Sequence, residues 1–151
     1  MLKAEAFMLE ALKEAVLDPN EVPVGAVVVY QNEVIAKAHN EREHGNPFAH
    51  AEMLAMERAA KRLGTRRLHG CTLYVTLEPC PMCAGALLMA QADRCVFGAY
   101  DPKQGCCGSV YTLPEDPAFS HAAKCAGGVM EEVCQKQLQE FFARKRSAKL
   151  L

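Results

Sequence analysis

Nowhere in the chain do apolar residues run for the roughly 18 positions that a membrane-spanning helix needs, although they make up 50% of the sequence. They are spread through 151 residues, a length that suits one compact domain burying roughly two thirds of its unfolded surface. A secretory signal is missing as well: Met1 leads into Leu2, Lys3, Ala4 and Glu5, with no basic start, apolar run and small-residue cleavage site. The expectation is a soluble, cytoplasmic protein with no membrane partner. No repeat, low-complexity tract or Pro/Gly/Ser linker divides the chain, so residues 1–151 read as a single domain. Nor is there a surplus of one charge, since the net value of −1 excludes a protein coated in positive charge. Basic character is local: Arg144, Lys145, Arg146 and Lys149 stand without an acid between Phe141 and Leu151.

Eight cysteines are present, but without an export signal they do not read as a disulfide scaffold. Reduced thiols, some of them on a metal, fit better. Leu2, Ala6, Leu9, Leu12 and Val16 recur at helical spacing until Asp18-Pro19-Asn20 stops them, which predicts an amphipathic helix over 2–17. Val24 to Tyr30, a tight Gln31-Asn32 link and Val34 to His39 predict a β-hairpin. A helix is expected from about His50 to Leu63, a strand over 71–77, a helix over 81–90 and a strand over 94–99. A short helix near Val110, a strand near 122–126 and a final basic helix over about 129–147 complete the reading. Helices alternating with strands after a hairpin imply an α/β protein, its mixed sheet covered on both faces.

Two segments carry chemistry. His50-Ala51-Glu52 opens a predicted helix just after Asn46-Pro47, and Pro79-Cys80-Pro81-Met82-Cys83 opens another, with Pro81 suited to the first helical position. A thiolate at a helix N-terminus is stabilised by free N–H groups and the dipole, which prepares it for a metal. Cysteines three apart share one helical face, so Cys80 and Cys83 can both reach one ion, with His50 as a third ligand. A tetrahedral zinc with three protein ligands keeps its fourth position for water and lowers that water's pKa to about 7. Glu52 then stands where one carboxylate can carry protons from water to a heterocycle and its leaving amine. The order H-x-E followed by P-C-x-x-C is the signature of zinc-dependent nucleobase deaminases. A structural zinc site would want a fourth protein ligand and would have no use for Glu52.

The chain resembles the bacterial tRNA-specific adenosine deaminase family from about Leu2 to Ser147. The resemblance runs through 21–26 (EVPVGA), Asn40, 50–52 (HAE), 73–86 (LYVTLEPCPMCAGA) and 96–99 (VFGA). It implies a cytidine-deaminase-like three-layer α/β/α sandwich with a five-stranded mixed sheet, one Zn2+ per subunit and a homodimer with catalytic sites near the subunit interface. It also implies a substrate: adenosine at the wobble position of a tRNA anticodon stem-loop, chiefly an arginine tRNA, converted to inosine. By the same resemblance Asn40 hydrogen-bonds the flipped base, the Asp101-Pro102-Lys103-Gln104-Gly105 loop flanks the nucleotides, and His121 is a nucleic-acid contact. The final helix contributes RNA contacts through Arg144, Lys145, Arg146 and Lys149. The sequence departs from the family at Cys106 and Cys107, where small residues are usual, and at Tyr100, where a basic residue is frequent.

Other readings stay open at this stage. The same chemistry could serve free guanine, cytosine or deoxycytidylate, and the chain could be a zinc-stabilised RNA-binding module without turnover. The basic tail could merely complement a helix dipole while Phe141 and Phe142 pack on the core. Cys71, Cys95, Cys106, Cys107, Cys125 and Cys134 read as small buried hydrophobes or surface thiols, with a second metal site at Cys106, Cys107 and Cys125 as the alternative.

Overall fold

The computed structural model describes residues 2–149. Five strands form one mixed sheet in the order β2-β1-β3-β4-β5: β1 Gly25–Tyr30, β2 Glu33–His39, β3 Cys71–Leu77, β4 Arg94–Ala99 and β5 Lys124–Ala126. β1 runs antiparallel to both β2 and β3, while β3, β4 and β5 are parallel to one another. The hairpin turn is Gln31-Asn32, both with positive φ (51° and 64°), as a two-residue link matching strand twist requires.

Four helices cover the sheet: α1 Lys3–Ala15, α2 Ala51–Leu63, α3 Pro81–Met89 and α4 Glu131–Lys149. Strand alternation divides the core between the two faces. Ala26, Val28, Leu73, Val75, Cys95 and Phe97 meet Ala55, Met56 and Ala59 of α2 and Ala84 and Leu87 of α3. Val27, Val29 and Ala99 meet Met8, Ala11 and Leu12 of α1 and Cys134 of α4. The result is the expected three-layer sandwich, and burial on both faces explains why β1 is a continuous apolar run. Gly25 is required where α1 lies across β1, because a Cβ there would collide with the Ala11 carbonyl oxygen.

Two expectations need correction. No helix forms at Val110. The Cys107–Thr112 segment folds back on itself through an isolated bridge, and a 3₁₀ turn comes only at Leu113–Glu115, after Pro114 can open it. α4 begins later than expected because Gly128 and Met130 take positive φ (87° and 54°). Among the described residues no helix is long and apolar enough to cross a membrane.

Candidate metal centre and active site

The site lies beyond the carboxyl ends of β3 and β4, where open α/β sheets present ligands. β3 runs out through Glu78 and Pro79 to Cys80, which caps α3 with extended backbone (φ −71°, ψ 175°), and Pro81 begins the helix. His50 caps α2 in the same way (φ −74°, ψ 147°). Two helix starts therefore face each other. His50 Nδ1 lies 3.6 Å from Cys80 Sγ and 3.6 Å from Cys83 Sγ. A tetrahedral zinc with Zn–N near 2.05 Å and Zn–S near 2.3 Å sets N···S at about 3.6 Å, so the spacing fits that ion. The three ligand atoms lie within 4.8 Å of one another, and no fourth protein ligand joins them among the described residues. This donor set suits an ion with one open position.

Local electrostatics favour a thiolate. A hydrogen bond from the Cys83 thiol, together with the His50 ring and the Cys83 backbone N–H, lowers Cys80 to about 4. Cys83, holding the proton of that pair and buried, is pushed upward. The hydrogen bond to Cys80 raises His50. Glu52, in the first turn of α2, is only 4% exposed, and burial lifts its carboxyl to about 7.

Asn40 and Glu52 share a cavity of about 200 Å³ with His50 and Cys80, walled by Leu77, Asp101 and Phe142. That volume is below the roughly 300–1,000 Å³ of drug-sized ligand sites, so it suits a group about the size of one heterocycle. A larger groove of about 560 Å³ opens on the outer side of His50 and Cys80, lined by Phe48, Met82, Lys103 and Tyr111. Glu52 does not border it, so the smaller cavity is the one that brings Glu52 together with His50 and Cys80.

The other residues singled out in the sequence fall in different places. Asn40 is buried, and its Oδ1 accepts the Ala51 N–H at 2.9 Å. Because that partner is a donor, the amide is oriented and its NH₂ is left for the cavity. Asp101 borders the cavity, while its Oδ1 accepts the Lys103 and Gln104 N–H groups and shapes its own turn. His121 is not brought there: it bonds the Ala92 carbonyl at 2.8 Å, ahead of β4, whereas Asp101 follows β4. Six strand residues, roughly 20 Å, separate the two ends.

Of the basic residues, Arg144 edges a cleft against Val16, Lys145 stands 5.6 Å over the Phe141 ring, and Arg146 and Lys149 are exposed. Phe141 packs inside, but Phe142 reaches the cavity wall, one helical step that a reading of both rings as core does not distinguish. Cys106 and Cys107 part company. Cys106 borders the outer groove, while Cys107 turns inward and exchanges thiol contacts with Cys95 and Cys125, so Cys106, Cys107 and Cys125 do not form a metal cluster. Glu78 falls within the 73–86 motif, which by itself gives it no role, yet it is buried and borders the cavity.

The sequence profile of the cytidine and deoxycytidylate deaminase zinc-binding region matches residues 1–99, a span that includes His50, Glu52, Cys80 and Cys83. The chain belongs to that deaminase family. Within the family it is 50% identical over 152 aligned positions to a tRNA-specific adenosine deaminase of Bacillus subtilis, covering 99% of this chain and 94% of the relative. It is 44% identical to one of Aquifex aeolicus, covering 95% and 96%. A solved structure from work on A-to-I editing by tRNA:A34 deaminases superposes with a TM-score of 0.82 at 41% identity, covering 87% of this chain and 98% of the other. A guanine deaminase of Bacillus subtilis superposes with a TM-score of 0.61 at 37% identity over 64% of each chain, so the fold also serves a free base in a relative.

Proposed function

We propose that this deaminase converts adenosine to inosine at wobble position 34 of a tRNA anticodon stem-loop, chiefly that of an arginine tRNA. The reaction replaces the C6 amine of adenine by a carbonyl: water adds at C6, ring N1 gains a proton, and the amine leaves as ammonia. His50, Cys80 and Cys83 would hold one zinc ion per subunit, which would supply the Lewis acidity that lowers the pKa of a water at the reacting carbon to about 7. Glu52 takes that water's proton and passes it to N1, then takes the proton of the new C6 hydroxyl, which becomes the carbonyl, and delivers it to the leaving amine. Burial supports this assignment, since a carboxyl held at about 7 sits where a group that both accepts and donates at neutral pH is most effective. The Asn40 NH₂ donates to an acceptor nitrogen of the ring and orients the base. The cavity excludes bulk water from the reacting carbon.

The observation that carries the reaction class is the three-ligand cluster with a buried carboxylate two residues from one ligand. The substrate is supported by the near full-length similarity to the Bacillus and Aquifex enzymes, which covers 99% and 95% of this chain. Arg144, Lys145, Arg146 and Lys149 meet phosphates, Asp101 contacts a nucleotide at the cavity mouth, and the enzyme acts in the cytoplasm on free tRNA. Residues 1–151 work as one domain in a homodimer. The α2–α3 face supports that pairing: its groove of about 500 Å³ is lined by Phe48, Met53, Leu54 and Met89, with Phe48 64% and Met89 84% exposed.

The test incubates the purified protein with an anticodon stem-loop carrying wobble adenosine, and separately with free guanine, cytosine and adenosine. Inosine in the RNA alone is expected. Ammonia from a free base with the RNA unchanged would make the chain a free-base deaminase.

A further inference from the structure

Glu78 borders the reaction cavity, yet neither the metal cluster nor the proton transfers use it. It is 2% exposed, and its backbone N–H bonds the Ala99 carbonyl at 2.8 Å, so it is fixed to the end of the sheet. Both carboxylate oxygens point into the loop that follows β4. Oε1 accepts the Asp101 N–H at 3.0 Å and the Ser109 hydroxyl at 2.5 Å. Oε2 accepts the Cys107 N–H at 3.1 Å and the Ser109 N–H at 2.8 Å. Four donors of one loop thus converge on one side chain. Gly105 passes so close that a Cβ there would overlap the carboxylate. The same loop carries Asp101 and Gln104 to the cavity, and Lys103 and Cys106 to the outer groove.

We propose that Glu78 is a positioning residue for substrate capture: its carboxylate sets the height of the 101–109 loop from which Asp101 and Gln104 close the cavity, without touching the reacting atoms. His50, Glu52, Cys80 and Cys83 stand on α2 and α3 and keep their places when the loop shifts. The effect therefore falls on binding that substrate and transition state share. Glu78→Gln preserves size but replaces one acceptor oxygen by a donor NH₂. Turned either way, that NH₂ faces a backbone N–H, of Asp101 on one side or of Cys107 and Ser109 on the other, and only the Ser109 hydroxyl can rotate to accept.

The assay rests on the wobble-adenosine reading above; the loop measurement does not. Zinc content, steady-state inosine formation in the stem-loop and amide hydrogen exchange are compared for the parent, Glu78→Gln and Gly105→Ala. Glu78→Gln is expected to keep the parent's zinc and kcat, to raise KM about tenfold or more, and to speed exchange at Asp101, Cys107 and Ser109 while α2 and α3 stay protected. Gly105→Ala, which pushes the loop without altering the carboxylate, should raise KM alike, and the double variant should fall short of the product of the two. A parent KM with Glu78→Gln, a fall in kcat at unchanged KM, or loss of zinc overturns the proposal, the last because Glu78 would then act through Cys80. If the parent forms no inosine, the substrate reading fails, and unchanged exchange at the three loop amides still refutes the positioning role.

Discussion

In the proposed reaction Asn40 joins two tasks in one amide, and two substitutions separate them. Its Oδ1 holds the first N–H of α2, that of Ala51, at 2.9 Å in a buried setting, which leaves the NH₂ for the base. Asn40→Ala removes both. An orphaned buried amide costs about 1–3 kcal/mol, and at about 2–4 °C per kcal/mol for a chain of this size Tm should fall by several degrees. Asn40→Asp keeps an oxygen on the Ala51 N–H, at a helix start that favours negative charge, but presents a second oxygen where the base needs a donor. Losing that hydrogen bond is worth about 1–3 kcal/mol, or roughly five- to 150-fold in kcat/KM. Thermal unfolding of the zinc-loaded proteins and inosine formation from the stem-loop measure the two effects. Parent-like Tm for Asn40→Ala, or parent-like kcat/KM for Asn40→Asp, refutes the division of labour.

Four further outcomes are expected. In metal-free protein the folded state binds a proton at Glu52 that the unfolded chain releases between 4.5 and about 7, so this group's stabilisation is full below 4.5 and is lost as pH rises through about 7. From about pH 5 to about pH 7.5 the parent should thus lose Tm relative to Glu52→Gln, and parallel profiles would contradict the burial argument. The same variant, once zinc-loaded, should bind the stem-loop yet lose at least about a hundredfold in turnover. Neutralising Arg144, Lys145, Arg146 and Lys149 together should flatten the salt dependence of stem-loop binding by about 0.7 for each phosphate left without a cation, and an unchanged slope returns them to a solubility role. Met89→Glu on the α2–α3 groove should give monomers by light scattering where the parent is dimeric; an unaltered mass moves the subunit interface elsewhere.

Much of the architecture was legible because each element announces itself locally. The hairpin, β3, β4 and the helix starts at His50 and Cys80 follow from apolar runs, from the Gln31-Asn32 link and from proline at a first helical position, all short-range effects. The stretch from Tyr100 to Gly128 resisted because its backbone donors are taken by a distant acceptor. Val110 has neighbours that could support a helix, but Cys107 and Ser109 give their N–H groups to Glu78, about thirty positions earlier. The distance of His121 from the cavity was illegible for a related reason, since it depends on the parallel pairing of β4 with β5.

The candidate metal cluster was determined by sequence alone to an unusual degree. Two cysteines three apart at a helix start, and a histidine with a glutamate at another, define ligand types and an open position whatever brings them together. Only the tertiary structure decided that the two helix starts face each other with both N···S separations at 3.6 Å. It also decided that Asn40 commits its Oδ1 to the Ala51 N–H at the cavity, and that Phe142 rather than Phe141 lines it. Glu78 belongs wholly to this second group. A carboxylate two residues before a metal ligand has no local partner to reveal it; its four donors arrive from beyond the next strand, and long-range pairing of that kind exists only once the sheet has closed.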